Sequence, residues 1–219
     1  MKLANISDGK NIDNFIAILA ATIFFEGALL SIYRLFPDYW QPLINEVYNQ
    51  YNLTAIIIDI LVILIAVSVT QQAYTYLIGN DKWNIMYFIA IIIVYQILRL
   101  ISFYIVMHTI FKKGANGLLD FQVDYYSKYT ARSLFGDFFV AIAIPIIASL
   151  FKSIDKYILI DICMVGFYGI CYIIISAPSS EILAKQTLPP IPSIPSIPSI
   201  PPIPTSLPID VKNIFSYIK

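Results

Sequence analysis

Long apolar stretches follow one another along the chain, each broken by very few polar positions. Residues 55–69 read AIIIDILVILIAVSV, and residues 85–111 read IMYFIAIIIVYQILRLISFYIVMHTIF. About 18 or more predominantly apolar residues suffice to cross ~30 Å of hydrocarbon as a helix. The pattern predicts five spans, at about 14–36, 53–77, 84–111, 134–151 and 157–177. The expected fold is all-α: a polytopic transmembrane helix bundle over residues 1–177, then a proline-rich, low-complexity, disordered tail over 178–219. The fourth span is short and carries Asp137 and Pro145. Proline is tolerated in a spanning helix when neighbours satisfy the freed carbonyl. A re-entrant fourth segment would lower the count to four and move the tail to the other side.

The stretches between spans add detail. The chain opens MKLANISDGKNIDN, polar and partly acidic, before an apolar segment too long for a cleaved signal peptide, so a retained first helix is expected. Residues 37–51 carry Tyr39, Trp40, Tyr48 and Tyr51, a density that suits the headgroup layer. Residues 117–133 place Asp120, Asp124, Lys128 and Arg132 four apart, with Phe121, Tyr125 and Tyr129 beside them. That spacing predicts a short amphipathic helix on the cytoplasmic surface, the alternative being a solvated connector.

In the tail, residues 188–204 read LPPIPSIPSIPSIPPIP. A three-residue repeat on a polyproline II helix segregates its side chains into ridges. Ile191, Ile194 and Ile197 form one ridge, and Pro192, Pro195 and Pro198 another. Such a surface suits a partner's aromatic-lined groove, or serves as a stiff spacer presenting VKNIFSYIK.

Composition agrees with a membrane class. The chain is 58% hydrophobic and 13% charged, where a soluble domain is about a quarter charged. Fourteen basic and fourteen acidic residues balance, so no nucleic-acid partner is implied. One histidine, His108, and two cysteines, Cys163 and Cys171, are too few for a zinc site or a disulfide framework. The cysteines read as free thiols in an apolar helix. No metal or cofactor is expected.

Lysine and arginine near spans mark the cytoplasmic side. Lys2, Lys10, Lys82, Lys152 and Lys156 fall on one face; Arg34, Lys112, Lys113, Lys128, Arg132, Lys185, Lys212 and Lys219 fall on the other. The C-terminus is therefore expected inside and the N-terminus outside. The sequons Asn5-Ile6-Ser7 and Asn52-Leu53-Thr54 lie on opposite faces, so at most one can carry a glycan.

Charges within the spans are the candidate functional residues. A charge at mid-bilayer costs ~3 kcal/mol or more, so it faces the bundle and finds a partner. Glu26, Asp59, Arg99 and Asp137 fall at compatible depths in the cytoplasmic half, while Asp161 lies toward the opposite side. An ion-pair cluster is expected, Arg99 joining Asp59, Glu26 or Asp137 through its fork of donors. With three acids and one arginine, at least one carboxyl is expected to be neutral or bathed in water. The cluster either fixes helix register or forms a proton or cation pathway. Gln71, Gln72 and Gln96 are secondary polar positions suited to bonds between helices. Gly166 and Gly169 are three apart, not the four of the small-residue dimer motif.

An enzyme is not expected. Phe135-Gly136-Asp137 keeps only part of the Gly-x-Gly-Asp setting of an intramembrane aspartyl protease, and no companion Tyr-Asp occurs. No serine–histidine pairing, metal cluster or phosphate loop is present.

Residues 95–137, about a fifth of the chain, resemble uncharacterised multi-pass membrane proteins of large nucleocytoplasmic DNA (giant) viruses. Gln96, Phe103, Tyr104, Gly114, Asn116 or Gly117, Asp120, Tyr126 or Tyr129, and Gly136-Asp137 carry the likeness. The family's His-Asp pair is missing, with Leu98 and Arg99 in its place. The resemblance implies a protein of a viral membrane or host endomembrane and names no chemistry. The function expected is structural or membrane-organising, with the tail engaging a soluble protein; the alternative is a small channel or carrier. Partners expected are the bilayer, that soluble protein and further copies of the chain.

Overall fold

In the computed structural model, residues 3–36, 42–109, 114 and 117–176 are described. They form α1 (Ile12–Leu35), α2 (Pro42–Leu77), α3 (Ile85–Thr109), α4 (Gly117–Phe151) and α5 (Lys156–Ile175), with no strand among the described residues. Four segments are long and apolar enough to cross a membrane: 12–35, 50–77, 85–106 and 156–175. Phe135–Phe151 is apolar but shorter. At 1.5 Å per residue it reaches roughly 25 Å, a few ångströms under the hydrocarbon thickness. The tail residues Ile191, Pro192, Ile194, Pro195, Ile197 and Pro198 lie outside the described residues, as do Tyr39 and Trp40.

The helices alternate in direction. Ala17 and Ala20 cluster with Leu159, and farther along Gly27 meets Ile170, so α1 and α5 run parallel. The start of the chain touches the last turns of α2 and α4 and the α2–α3 turn. Gln71 donates to Ile6 O at 2.6 Å, Ser149 to Ala4 O at 2.9 Å, and Trp83 to Leu3 O at 3.1 Å. The N-terminal segment, the α2–α3 turn and the α4 end thus share one end of the bundle. Ile6 and Ser7 are fully buried there. Tyr74, Trp83 and Phe88 form a ring cluster beneath them, with centroids 5.6–5.8 Å apart. The Asn5 sequon is built into this junction: Asn5 Nδ2 donates to Asn80 O at 2.7 Å, and Asn5 Oδ1 accepts from Ser7.

Two boundaries differ from the sequence pattern. Residues 42–51 are helical, not an interfacial loop, and the backbone leaves helical geometry at Asn52 (φ 49°, ψ −132°). Asparagine tolerates positive φ better than most residues. The break turns the preceding helical segment back on the bundle and buries Tyr48. The 117–133 segment is helical as its spacing predicts, but it continues into 134–151 without interruption, so no separate surface helix exists. Gly136 did not end it, and Pro145 lies inside it.

Helix association in lipid draws on close packing, because hydrocarbon is as apolar as leucine. At the α1–α5 contact, a Cβ at Gly166 would lie 2.9 Å from Ile23 Cγ2, and one at Gly27 would lie 3.4 Å from Ile170 Cγ1. Gly166 therefore serves a contact within the chain. Gly166→Val should overpack it and cost about 1–3 kcal/mol, read as a lower midpoint of SDS-induced unfolding; an unchanged midpoint would show that the contact yields freely.

Candidate functional site: a charge cluster between four helices

Glu26, Asp59, Arg99 and Asp137 meet in the half of the bundle away from the N-terminal junction. Phe25 on α1 and Phe139 on α4 touch at 5.9 Å between ring centroids, which sets Glu26 and Asp137 at one level. Arg99 Nη2 on α3 donates to Asp137 Oδ2 on α4 at 3.0 Å. Both side chains are part-buried, 28% and 29% exposed. Asp59 on α2 lies within electrostatic reach of Asp137 and Arg99. Glu26 is buried at 6% exposure and lies within electrostatic reach of Asp59. Arg99 therefore bonds directly to one of its three predicted partners, and the other two carboxylates form an adjoining group.

Tyr48 completes that group. Its hydroxyl donates to Asp59 Oδ2 at 3.3 Å, and its ring stacks on Tyr33 with centroids 6.3 Å apart. Eleven residues on an unbroken helix span roughly 16 Å. The break at Asn52 removes that separation, and nothing in the hydrophobic pattern signals the break. Arg34 also faces this region, half-buried and in electrostatic contact with Tyr48. Its signal was present: Glu26, Leu30 and Arg34 follow at intervals of four and share one helix face.

The remaining polar positions divide. Gln96 is one turn before Arg99, 5% exposed, and its Oε1 has no hydrogen-bond partner; Arg99 Nε is likewise buried without an acceptor. Gln71 belongs to the N-terminal junction, and Gln72 is exposed. Asp161 is exposed on α5 and is not in the cluster. Cys163 and Cys171 are free and partly buried. Among the described residues, no group of three or more His, Cys, Asp or Glu is placed to hold a metal ion.

Chemically, the Arg99–Asp137 bond joins α3 to α4, Asp59 on α2 lies within reach of that guanidinium, and Glu26 on α1 adds a second carboxyl beside Asp59. The cluster brings three carboxyls, those of Glu26, Asp59 and Asp137, to the neighbourhood of Arg99. No protein-family model, curated protein or solved structure matches the chain.

Proposed function

We propose that this chain is a structural, membrane-organising protein whose charge cluster locks the order and register of its helices. The observation that carries this reading is the Arg99–Asp137 bond between α3 and α4, seated among apolar surfaces. A misplaced helix would leave those charges unpaired in hydrocarbon, so the cluster selects one arrangement. In this reading Phe135–Phe151 crosses as a fifth span, the bilayer thinning slightly to meet it. The N-terminus is outside and the C-terminus is cytoplasmic, which sets the Ile-Pro-Ser repeat before a soluble partner. The likeness of residues 95–137 supports a viral or virus-modified membrane as the setting. No enzymatic activity is proposed.

One observation favours a second reading. Glu26 and Asp59 form a carboxyl pair beside an arginine bonded to a different acid. Carboxyls that exchange protons across a bundle make a proton or cation pathway.

Flux into liposomes separates the two. Purified protein, with Asp59→Asn and Asp137→Asn beside it, is expected to give proton and cation flux no higher than empty liposomes. Flux above that baseline, removed by either substitution, would overturn the structural reading and make the acids a pathway.

A further inference from the structure

Helix α5 has two faces. Leu159, Cys163, Gly166, Ile170 and Ile174 recur at intervals of three and four and turn into the bundle. The opposite face carries Tyr157, Asp161, Met164, Tyr168 and Tyr172, all exposed, Met164 at 70% and Tyr168 at 71%. Lipid alone explains part of this face. Tyr157 and Tyr172 lie near the two helix ends, where tyrosine suits the membrane interface. It does not explain the middle.

Asp161 follows the first helical residue by five positions, so it lies roughly 7–8 Å into the span. Its carboxylate makes no hydrogen bond or ion pair with any described residue. The nearest cation in sequence, Lys156, places its ammonium 5.4 Å over the Tyr157 ring. Tyr168 lies roughly 18 Å along, and its hydroxyl is also without a partner. Beside it, a Cβ at Gly169 would meet nothing within 4 Å. A glycine inside a helix weakens it, yet it lets a second helix approach the backbone closely.

We propose that this face of α5 docks a partner's transmembrane helix that carries a lysine or arginine at the depth of Asp161. Charge complementarity selects that occupant. A second copy in the same membrane would lie parallel, and a symmetric contact would set Asp161 against Asp161. A basic helix pairs the carboxylate instead, lays its backbone over Gly169 and offers a carbonyl to the Tyr168 hydroxyl. The proposal rests on reading α5 as a span, and that reading is tested first by alkali-resistant insertion of the protein into liposomes. Failure to insert would overturn both.

The probe is a dye-labelled leucine–alanine helix bearing one lysine six residues from one end, with the same helix bearing leucine as control. Energy transfer to the labelled full-length protein in phosphatidylcholine liposomes reads association. The lysine probe is expected to bind at least tenfold tighter than the leucine probe. Asp161→Leu should remove that difference, and Gly169→Ile should weaken binding of both probes. Because Asp161 is exposed and a Cβ at Gly169 meets nothing within 4 Å, α1–α5 packing is left intact, and an unchanged SDS-unfolding midpoint verifies this. Equal binding of the two probes to wild type would overturn the proposal. So would photobleaching steps showing dimers without any probe that Asp161→Leu disperses, which would assign the face to a second copy.

Discussion

Arg99→Leu is expected to destabilise the bundle by about 1.5–3 kcal/mol, the scale of a hydrogen bond between charged groups, because the pair is only part-buried. The substitution takes away the guanidinium bonded to Asp137 and within reach of Asp59, and it leaves Glu26, Asp59 and Asp137 facing one another. Asp137→Leu should cost less, because Arg99 retains Asp59 nearby. The double variant Arg99→Leu/Asp137→Leu should recover much of the loss, since replacing both charges leaves none of that pair stranded. The midpoint of SDS-induced loss of helical circular dichroism measures all three. If the double variant falls by the sum of the singles, the 3.0 Å bond contributes no coupling and the locking role is lost. The transport reading predicts something else for the same variant, a folded bundle without flux. An Arg99→Leu protein that folds and behaves like wild type would defeat both readings.

How much of this could be read from the chain follows from the kind of signal each feature leaves. Helix identity was legible because uninterrupted apolar runs are long-range patterns that survive errors of a few residues. The depth of Glu26, Asp59, Arg99 and Asp137 was legible for the same reason: counting at 1.5 Å per residue needs only helix direction. The choice of Asp137 as the bonded partner of Arg99 was not legible. It depends on helix rotation and crossing, which carry no periodic trace at single positions. Tyr48 was hidden more deeply. Its aromatic neighbours Tyr39, Trp40 and Tyr51 suggested an interfacial belt, and for Tyr48 a single non-helical residue, Asn52, leads into the bundle instead.

The N-terminal segment was the larger omission. Residues 3–9 read as a polar leader because Asn5, Ser7 and Asp8 are polar, yet Ile6 and Ser7 are fully buried. Their polarity matches other polar groups that the spans carry at one end: Gln71, Thr75, Asn80 and Ser149. Each looked like an isolated exception within or beside an apolar run. Only the fold shows that they converge. Thr75, for example, donates to Asn80 Oδ1 at 2.6 Å, and Asn5 Nδ2 donates to the Asn80 carbonyl at 2.7 Å. Glycine at 166 was misleading in the opposite sense. Its spacing from Gly169 excluded one motif for pairing between chains, whereas the close approach it permits is to Ile23 within the chain.

Truncating the chain to begin at Lys10 should therefore act far beyond the residues removed, lowering stability by about 5.5–7 kcal/mol. Gln71, Trp83 and Ser149 each lose a main-chain acceptor, the Asn80 carbonyl loses its donor from Asn5, and the fully buried Ile6 is gone. Water entering the opened end can serve some of those groups, so each bond is counted near the low end, about 1 kcal/mol, with Ile6 adding roughly 1.5–3. Asn5→Ala is the graded comparison. It removes the side-chain bonds to Asn80 and Ser7 but keeps the carbonyls of Leu3, Ala4 and Ile6, so about 2 kcal/mol should be lost. In a Trp40→Phe background, Trp83 is the sole tryptophan, and its emission reports the junction directly. The truncated protein should emit at longer wavelength as Trp83 loses its contact with Leu3 and meets water, while the Asn5→Ala protein should emit as the parent does. Equal stability and unshifted emission after truncation would mean that the Tyr74–Trp83–Phe88 cluster holds this end unaided and that the N-terminal segment merely rests on it.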